Sequence, residues 1–310
     1  MVRVALFQSR TGIDPEKSAA ELDSAVAEAA AGGAAMLFTP EMSGFLDSDR
    51  ARALRSAAAE QRDMVLRVVQ QAAAKHGIWV HLGSLALRPD DDPELLVNRG
   101  FVIDDKGDIR GRYDKIHLFD VDLPTGESWR ESASYRAGDR TVVVRGTPVG
   151  DLGLAICYDL RFPALFEQLS EAGADVIALP AAFTVPTGQA HWHVLLRARA
   201  IEAGLFVVAA AQSGHHEDGR RTFGHSLVVD PWGDVIADGG DSTGLLFAEI
   251  DTERIAALGG QRPGDGCRAV TIGIGFYHRQ DLYFGSDLFF DLAEVFAQGA
   301  EIDEAEGRTS

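Results

Sequence analysis

The sequence is short of cysteine, with two copies in 310 residues, Cys157 and Cys267. So sparse a supply offers no disulfide framework, which suits a reducing compartment. Positive charge is scarce too. Lys and Arg number 29 against 47 Asp and Glu, for a formal charge of −18. Nucleic acid and anionic membrane are disfavoured as partners, because both require a positive surface. An anionic small molecule is not excluded, since it needs only a local Arg or Lys. No apolar run approaches membrane-spanning length. Met1-Val-Arg-Val-Ala-Leu-Phe-Gln8 starts as a strand without a charged leader, so no secretory signal and a cytoplasmic location are predicted. Neither a Gly-Lys-Ser/Thr phosphate loop nor a Gly-x-Gly-x-x-Gly turn follows that strand, so nucleotide binding lacks support.

What is present is an ordinary globular composition, 46% hydrophobic and 25% charged, in which strand-like and helix-like segments alternate. Val2–Gln8 is predicted as a strand. Asp14-Pro15 caps a helix to about Ala31, ended by Gly32-Gly33. Ala35–Thr39 reads as a buried strand, and one helical stretch runs from about Arg50 to Lys75. Ile78–Leu87 and Leu96–Ile103 are strands, with a hairpin turn at Asp105-Lys-Gly-Asp108. Further strands are expected at 152–156, 175–179, 205–211, 226–230 and 235–237. Helices are expected over Pro163–Ala172 and from about His191 to Ala203. This order implies an α/β layered core with helices outside.

Three short motifs carry chemistry. Cys157 ends a short apolar strand in Gly153-Leu-Ala-Ile-Cys157-Tyr158-Asp159-Leu-Arg161-Phe-Pro163, just before a helix. A strand-to-helix turn holds a nucleophile clear of the sheet beside a backbone N–H. A lone Cys is otherwise a small apolar core residue. Cys267 sits in the loop-like Arg262-Pro-Gly-Asp-Gly-Cys267 and reads as incidental. Glu41, in Phe38-Thr-Pro-Glu41, and Lys115, in Tyr113-Asp-Lys115-Ile-His, also fall where strands run out. Alone, each would read as a surface charge. Together the three supply a thiol, a proton acceptor and a cation at strand ends, where α/β sheets present their sites.

These motifs in this order resemble the carbon–nitrogen hydrolase (nitrilase) superfamily and its Glu-Lys-Cys triad. The resemblance runs from Val2 to Tyr283 and includes Ala182-Phe183, Thr187, His191-Trp192, Arg197-Ala-Arg-Ala-Ile-Glu202, Gly224-His225-Ser226 and Val229-Asp-Pro-Trp-Gly233. It implies a four-layer αββα sandwich and a homodimer or larger homo-oligomer. Tyr158-Asp159-Leu-Arg161-Phe-Pro163 is similar to the amidase branch that includes omega-amidase and deaminated glutathione amidase, and the motifs lean narrowly toward the latter. The implied reaction is hydrolysis of a small carboxylate-bearing amide to acid and ammonia through a cysteine thioester. Omega-amide, N-carbamoyl and nitrile substrates are the alternatives on the same triad.

The resemblance also implies a second glutamate, Glu131, that orients the lysine; otherwise Glu131 would be a solvated loop acid. It implies an oxyanion-binding N–H at Tyr158, a carboxylate-binding guanidinium at Arg161, and pocket walls at Phe183 and Thr187. The competing roles are a structural ion pair for Arg161, packing for Phe183 and helix capping for Thr187. No cofactor is implied. His191-Trp-His193 and His215-His216 lack a third ligand at metal-binding spacing, so no metal is expected. The domain is expected to span 1–283. Residues 284–310 would form an extension: an apolar-faced helix over Asp287–Phe296, at a subunit interface or against its own subunit, and an acidic tail.

Overall fold

The computed structural model describes residues 1–257, apart from 93, 123–125 and 127. Cys267, the proposed boundary at 283/284, the helix over Asp287–Phe296 and the acidic tail lie outside the described residues. Among the described residues, no helix is long and apolar enough to cross a membrane.

Two sheets form the interior. In the first, the strands run Gly244–Ile250, Val2–Gln8, Met36–Phe38, Trp79–Leu87, Leu96–Ile103 and Ile109–Asp114, with Tyr135–Arg136 beside Leu96–Ile103. In the second they run Val235–Asp238, Leu227–Val229, Phe206–Ala209, Val176–Ala178, Gly150–Leu154 and Val143–Thr147. Each sheet has three parallel strands at its centre and antiparallel strands at its flanks.

The strand period of two assigns the faces. Val4, Leu6, Met36 and Phe38 face the second sheet's Leu152, Leu154, Val176 and Val208 in one apolar cluster. Ala5 and Leu37 turn the other way, toward helices α1 (Pro15–Ala31) and, beyond the short α2 (Arg50–Ser56), α3 (Met64–His76). Leu22, Val26, Leu66 and Val69 supply that helical layer. Helices α4 (Pro163–Glu171) and α5 (Val185–Ala203) cover the second sheet with Leu165, Phe166, Leu169 and Leu196. The order is helix, sheet, sheet, helix, the αββα sandwich expected.

Two helical boundaries differ from expectation. The stretch from Arg50 to Lys75 is broken into α2, a 3-10 turn at Glu60–Arg62, and α3. Helix propensity in Ser56-Ala-Ala-Ala59 yields to burial of Ala57 and Ala59, and the Ala58 carbonyl accepts from Arg88 N–H at 2.9 Å. Asp63 then caps α3, its Oδ1 accepting from Leu66 N–H at 2.8 Å. Helix α5 starts at Val185, ahead of His191, because Pro186 sits in its first turn.

The two sheets approach each other closely at Gly83. Its N–H donates to Thr39 Oγ1 at 2.9 Å. A Cβ there would stand 2.6 Å from both Pro40 O and Pro180 Cβ, and would also strike Thr39 O. Pro40 precedes Glu41, and Pro180 O accepts the N–H of Cys157 at 2.9 Å. Adding one methyl must therefore part the two strand ends. Gly83→Ala is expected to cost about 1–3 kcal/mol by overpacking and to lose most hydrolytic activity. Urea unfolding and product release would check this, and a variant as stable and active as wild type would contradict it.

Candidate active site

Four chemistry-bearing side chains converge where the sheet strands end. Glu41 lies just past Met36–Phe38, Lys115 directly follows Ile109–Asp114, and Cys157 lies just past Gly150–Leu154. Glu131 opens a 3-10 turn after the short strand Ser128–Arg130. Lys115 is 2% exposed and Glu41 4%. The Lys115 Nζ donates to Glu41 Oε1 at 2.9 Å and to the Glu131 oxygens at 3.1 and 2.9 Å. Glu41 Oε2 accepts from the Ala182 N–H at 3.0 Å, and Glu131 Oε2 from the Phe119 N–H at 2.6 Å. An ammonium thus sits between two fully hydrogen-bonded carboxylates, an arrangement that burial demands of charges.

Cys157 faces this cradle from a strained position. Its φ of 48° is in the left-handed region, a conformation that costs a non-glycine residue about 1–3 kcal/mol. The segment from Cys157 to Arg161 is a 3-10 turn that leads into α4, so strand and helix do not join directly. Burial first, and the Glu41 charge second, push the thiol well above its usual range; Lys115 and the Ala182 N–H pull the other way and lose. The resting sulfur is a neutral thiol that shares the cleft with Glu41. For Lys115, burial would lower the pKa, but Glu131, Glu41 and Cys157 outweigh it and hold the ammonium well above its usual range.

A network around Asp159 fixes the elbow to the lysine. Asp159 is fully buried. Its Oδ2 accepts from Ile156 N–H at 2.8 Å and Tyr113 O–H at 2.7 Å. Its Oδ1 accepts from His117 N–H at 3.0 Å and lies 2.7 Å from His117 Nδ1. One carboxylate therefore ties residues on both sides of Lys115 to residues on both sides of Cys157. Sequence reasoning quoted Asp159 within a motif but gave it no role. It missed Asn98 altogether, whose Nδ2 donates to Glu41 Oε1 at 2.9 Å and to Glu131 Oε1 at 3.4 Å. The available signal was a buried amide within the apolar strand Leu96–Ile103.

The cleft above the cradle measures about 400 Å³, and all eight expected site residues line it: Glu41, Lys115, Glu131, Cys157, Tyr158, Arg161, Phe183 and Thr187. Tyr158 meets Phe119 edge-on at 5.1 Å. The Arg161 guanidinium lies 6.0 Å from the Tyr158 ring and 5.8 Å from the Phe183 ring, and bonds His191 Nδ1 at 3.2 Å. Among the described residues no carboxylate pairs with it. Thr187 bonds Thr184 Oγ1 at 2.8 Å, so it also steadies the start of α5. A buried thiol, a proton acceptor in the same cleft, and a cation bound to that acceptor are what acyl transfer to sulfur requires.

The chain matches the family described as carbon-nitrogen hydrolase over residues 3–259. It is 38% identical to a deaminated glutathione amidase of Yersinia enterocolitica over 84% of this chain and 90% of that one. Among solved structures it is similar to the Caenorhabditis elegans NitFhit protein, at a TM-score of 0.77 and 38% identity, covering 83% of this chain; it spans 62% of the NitFhit chain. It is also similar to a mutant amidase from Nesterenkonia sp. AN1, at a TM-score of 0.69 and 27% identity over 83% of this chain and 96% of that one. That structure shows the Michael addition of acrylamide at the active site cysteine.

The titration behaviour of the cradle gives a stability test. A group whose pKa is raised by folding stabilises the fold below its ordinary value and loses that contribution as pH climbs past it. For Cys157 and Lys115 the ordinary values are 9.0 and 10.5. Stability should hold from neutral pH to about 9, then fall by about 1.4 kcal/mol per pH unit for each group involved. Cys157→Ser should remove the first part of that decline in urea unfolding curves. An identical curve for the variant would show that the thiol is not held protonated.

Proposed function

The chain belongs to the carbon–nitrogen hydrolase family, and on that premise we propose that it is an amidase whose nucleophile is Cys157, acting on small amides that bear carboxylates. The observation that carries this reading is the meeting of the buried Cys157 with Glu41 and Lys115 in one cleft, Glu41 and Lys115 bonded at 2.9 Å.

The thiol proton passes to Glu41 as sulfur attacks the amide carbon. The carbonyl π electrons move to oxygen, and Lys115 and the Tyr158 backbone N–H hold that oxyanion. Two of the three Lys115 contacts go to one carboxylate, Glu131, so one ammonium hydrogen can turn to substrate without leaving either acid bare. The C–N bond then breaks, Glu41 protonates the departing nitrogen, and a thioester remains on Cys157. Water gives a proton to Glu41 and attacks the thioester; the C–S bond breaks and sulfur recovers the proton. The leaving nitrogen is ammonia from a primary amide. In a glutathione-derived substrate both amide nitrogens are substituted, so an amine leaves instead.

The case for an acidic substrate is electrostatic. In a chain of charge −18, the cleft is lined by Arg50, Arg130, Arg161 and Arg220. Arg130 and Arg220 are paired with Asp122 and Asp218. Arg161 and Arg50 have no carboxylate partner among the described residues, and Arg50 bonds only the Glu94 carbonyl there, at 3.2 Å. A guanidinium offers a planar fork that fits a carboxylate.

Steady-state release of the acid product from a panel of amides, deaminated glutathione and 2-oxo-dicarboxylic monoamides among them, tests the reading. Acidic amides should turn over and uncharged analogues of equal size should not. Arg161→Lys is expected to raise KM for the acidic ones by about tenfold or more, because an ammonium cannot copy the fork. Equal losses on acidic and neutral amides would contradict the assignment of Arg161, and preference for neutral amides would contradict the substrate class.

A further inference from the structure

The sequence offered His193 only beside His191, with no third ligand in sight. The fold brings it a different pair of neighbours. His193 on α5, His225 in the loop before Leu227–Val229, and Asp238 at the end of Val235–Asp238 place one ligand atom each within 4.8 Å of one another. The His193 Nε2 lies 3.1 Å from Asp238 Oδ2, and the His225 Nδ1 lies 2.9 Å from Asp238 Oδ1. None of the three lines the catalytic cleft.

From this we propose that His193, His225 and Asp238 form a binding site for a divalent first-row cation of the zinc type, which clips α5 to the edge of the second sheet. The donor set, two imidazole nitrogens and one carboxylate, suits zinc and its neighbours and leaves room for water. Tetrahedral bonds of about 2.0–2.1 Å place donors roughly 3.3 Å apart. The two His–Asp spacings need only widen by a few tenths of an ångström, and the imidazoles swing toward each other.

The surroundings hold these groups in place before any ion arrives. His225 sits at φ 55°, pinned by its N–H on Gly240 O at 2.6 Å and by Trp192 Nε1 donating to its carbonyl at 2.7 Å. Its ring stacks on Phe223 at 4.5 Å, and Phe223 meets the His193 ring edge-on at 6.2 Å. Phe223 in turn fills the space over Gly188 of α5, where a Cβ would strike the ring. The carboxylate is held as well: Gly240 N–H donates to Asp238 Oδ1 at 2.9 Å. Burial would raise the Asp238 pKa, but that N–H and the two histidines hold it below the usual range, so it is ionised at neutral pH. Without metal, each imidazole can donate a hydrogen bond to the carboxylate. Binding moves those protons to the outer ring nitrogens or to water, and the inner lone pairs take the cation.

The test uses full-length, chelator-treated protein titrated with cobalt(II), followed by absorption, and with zinc, followed by calorimetry and thermal unfolding. One equivalent per chain should bind without a thiolate charge-transfer band and should raise the unfolding temperature. Asp238→Asn, which preserves shape, and His193→Ala should each weaken binding by about tenfold or more, while acid-product release stays at the wild-type level. Three results would each overturn the site. They are a thiolate band, which would place the metal on cysteine; equal affinity in Asp238→Asn; or no binding at millimolar metal.

Discussion

Everything in the catalytic cleft depends on one buried ammonium held between two carboxylates. Lys115 with Glu41 and Glu131 carries a formal net charge of −1 in a largely buried space. Adding a thiolate would place three anions around one cation, and the fold resists that by holding the Cys157 proton in place. The way out is a transfer that conserves charge. When the thiol proton moves to Glu41, the negative charge leaves that acid and reappears on the substrate oxygen, still beside Lys115. Such a site needs little reorganisation as the barrier is crossed, which is the condition for strong electrostatic catalysis.

That condition makes demands on the scaffold. Glu41, Lys115 and Cys157 come from distant parts of the chain and must meet to within a few tenths of an ångström. The first sheet delivers Glu41 and Lys115, and the second delivers Cys157. Two devices bring them into register. Gly83 lets the backbone of one sheet touch Pro180 of the other. Asp159 ties the segment around Lys115 to the thiol elbow through bonds to Tyr113, His117 and Ile156. The strain at Cys157 is sustained because both of these over-determine its position.

The layered α/β core and the acid–lysine–thiol set were legible because their signals are local, and the resemblance those motifs carry implied the four-layer sandwich. Strand period, Asp14 before α1 and Gly32-Gly33 after it each act within one turn or strand, and the motifs around Glu41, Lys115 and Cys157 are contiguous. What escaped depends on contacts distant in sequence. The break between α2 and α3 follows from burial of Ala57 and Ala59, which an alanine run hides. Asn98 and Asp159 act by bonding residues far along the chain, and nothing beside them says so. The pairing of His193 with His225 and Asp238 likewise exists only once α5 lies against the second sheet. Arg161 was ambiguous until the fold showed rings and a histidine around it and, among the described residues, no acid.

The central claim is that sulfur of Cys157 takes the acyl group with Glu41 as the proton carrier. Rapid-quench intact-mass measurement during turnover of an acidic amide addresses it directly, with peptide mapping of the adduct. Wild type should show an added mass equal to the acyl group, located on Cys157 and decaying as acid product accumulates. Glu41→Gln, with no group to carry the proton, should show no such thioester formed from amide on the turnover timescale. An adduct on another residue, or product formed by the wild type with no acyl-enzyme at any quench time while Cys157→Ala still turns over, would contradict the account.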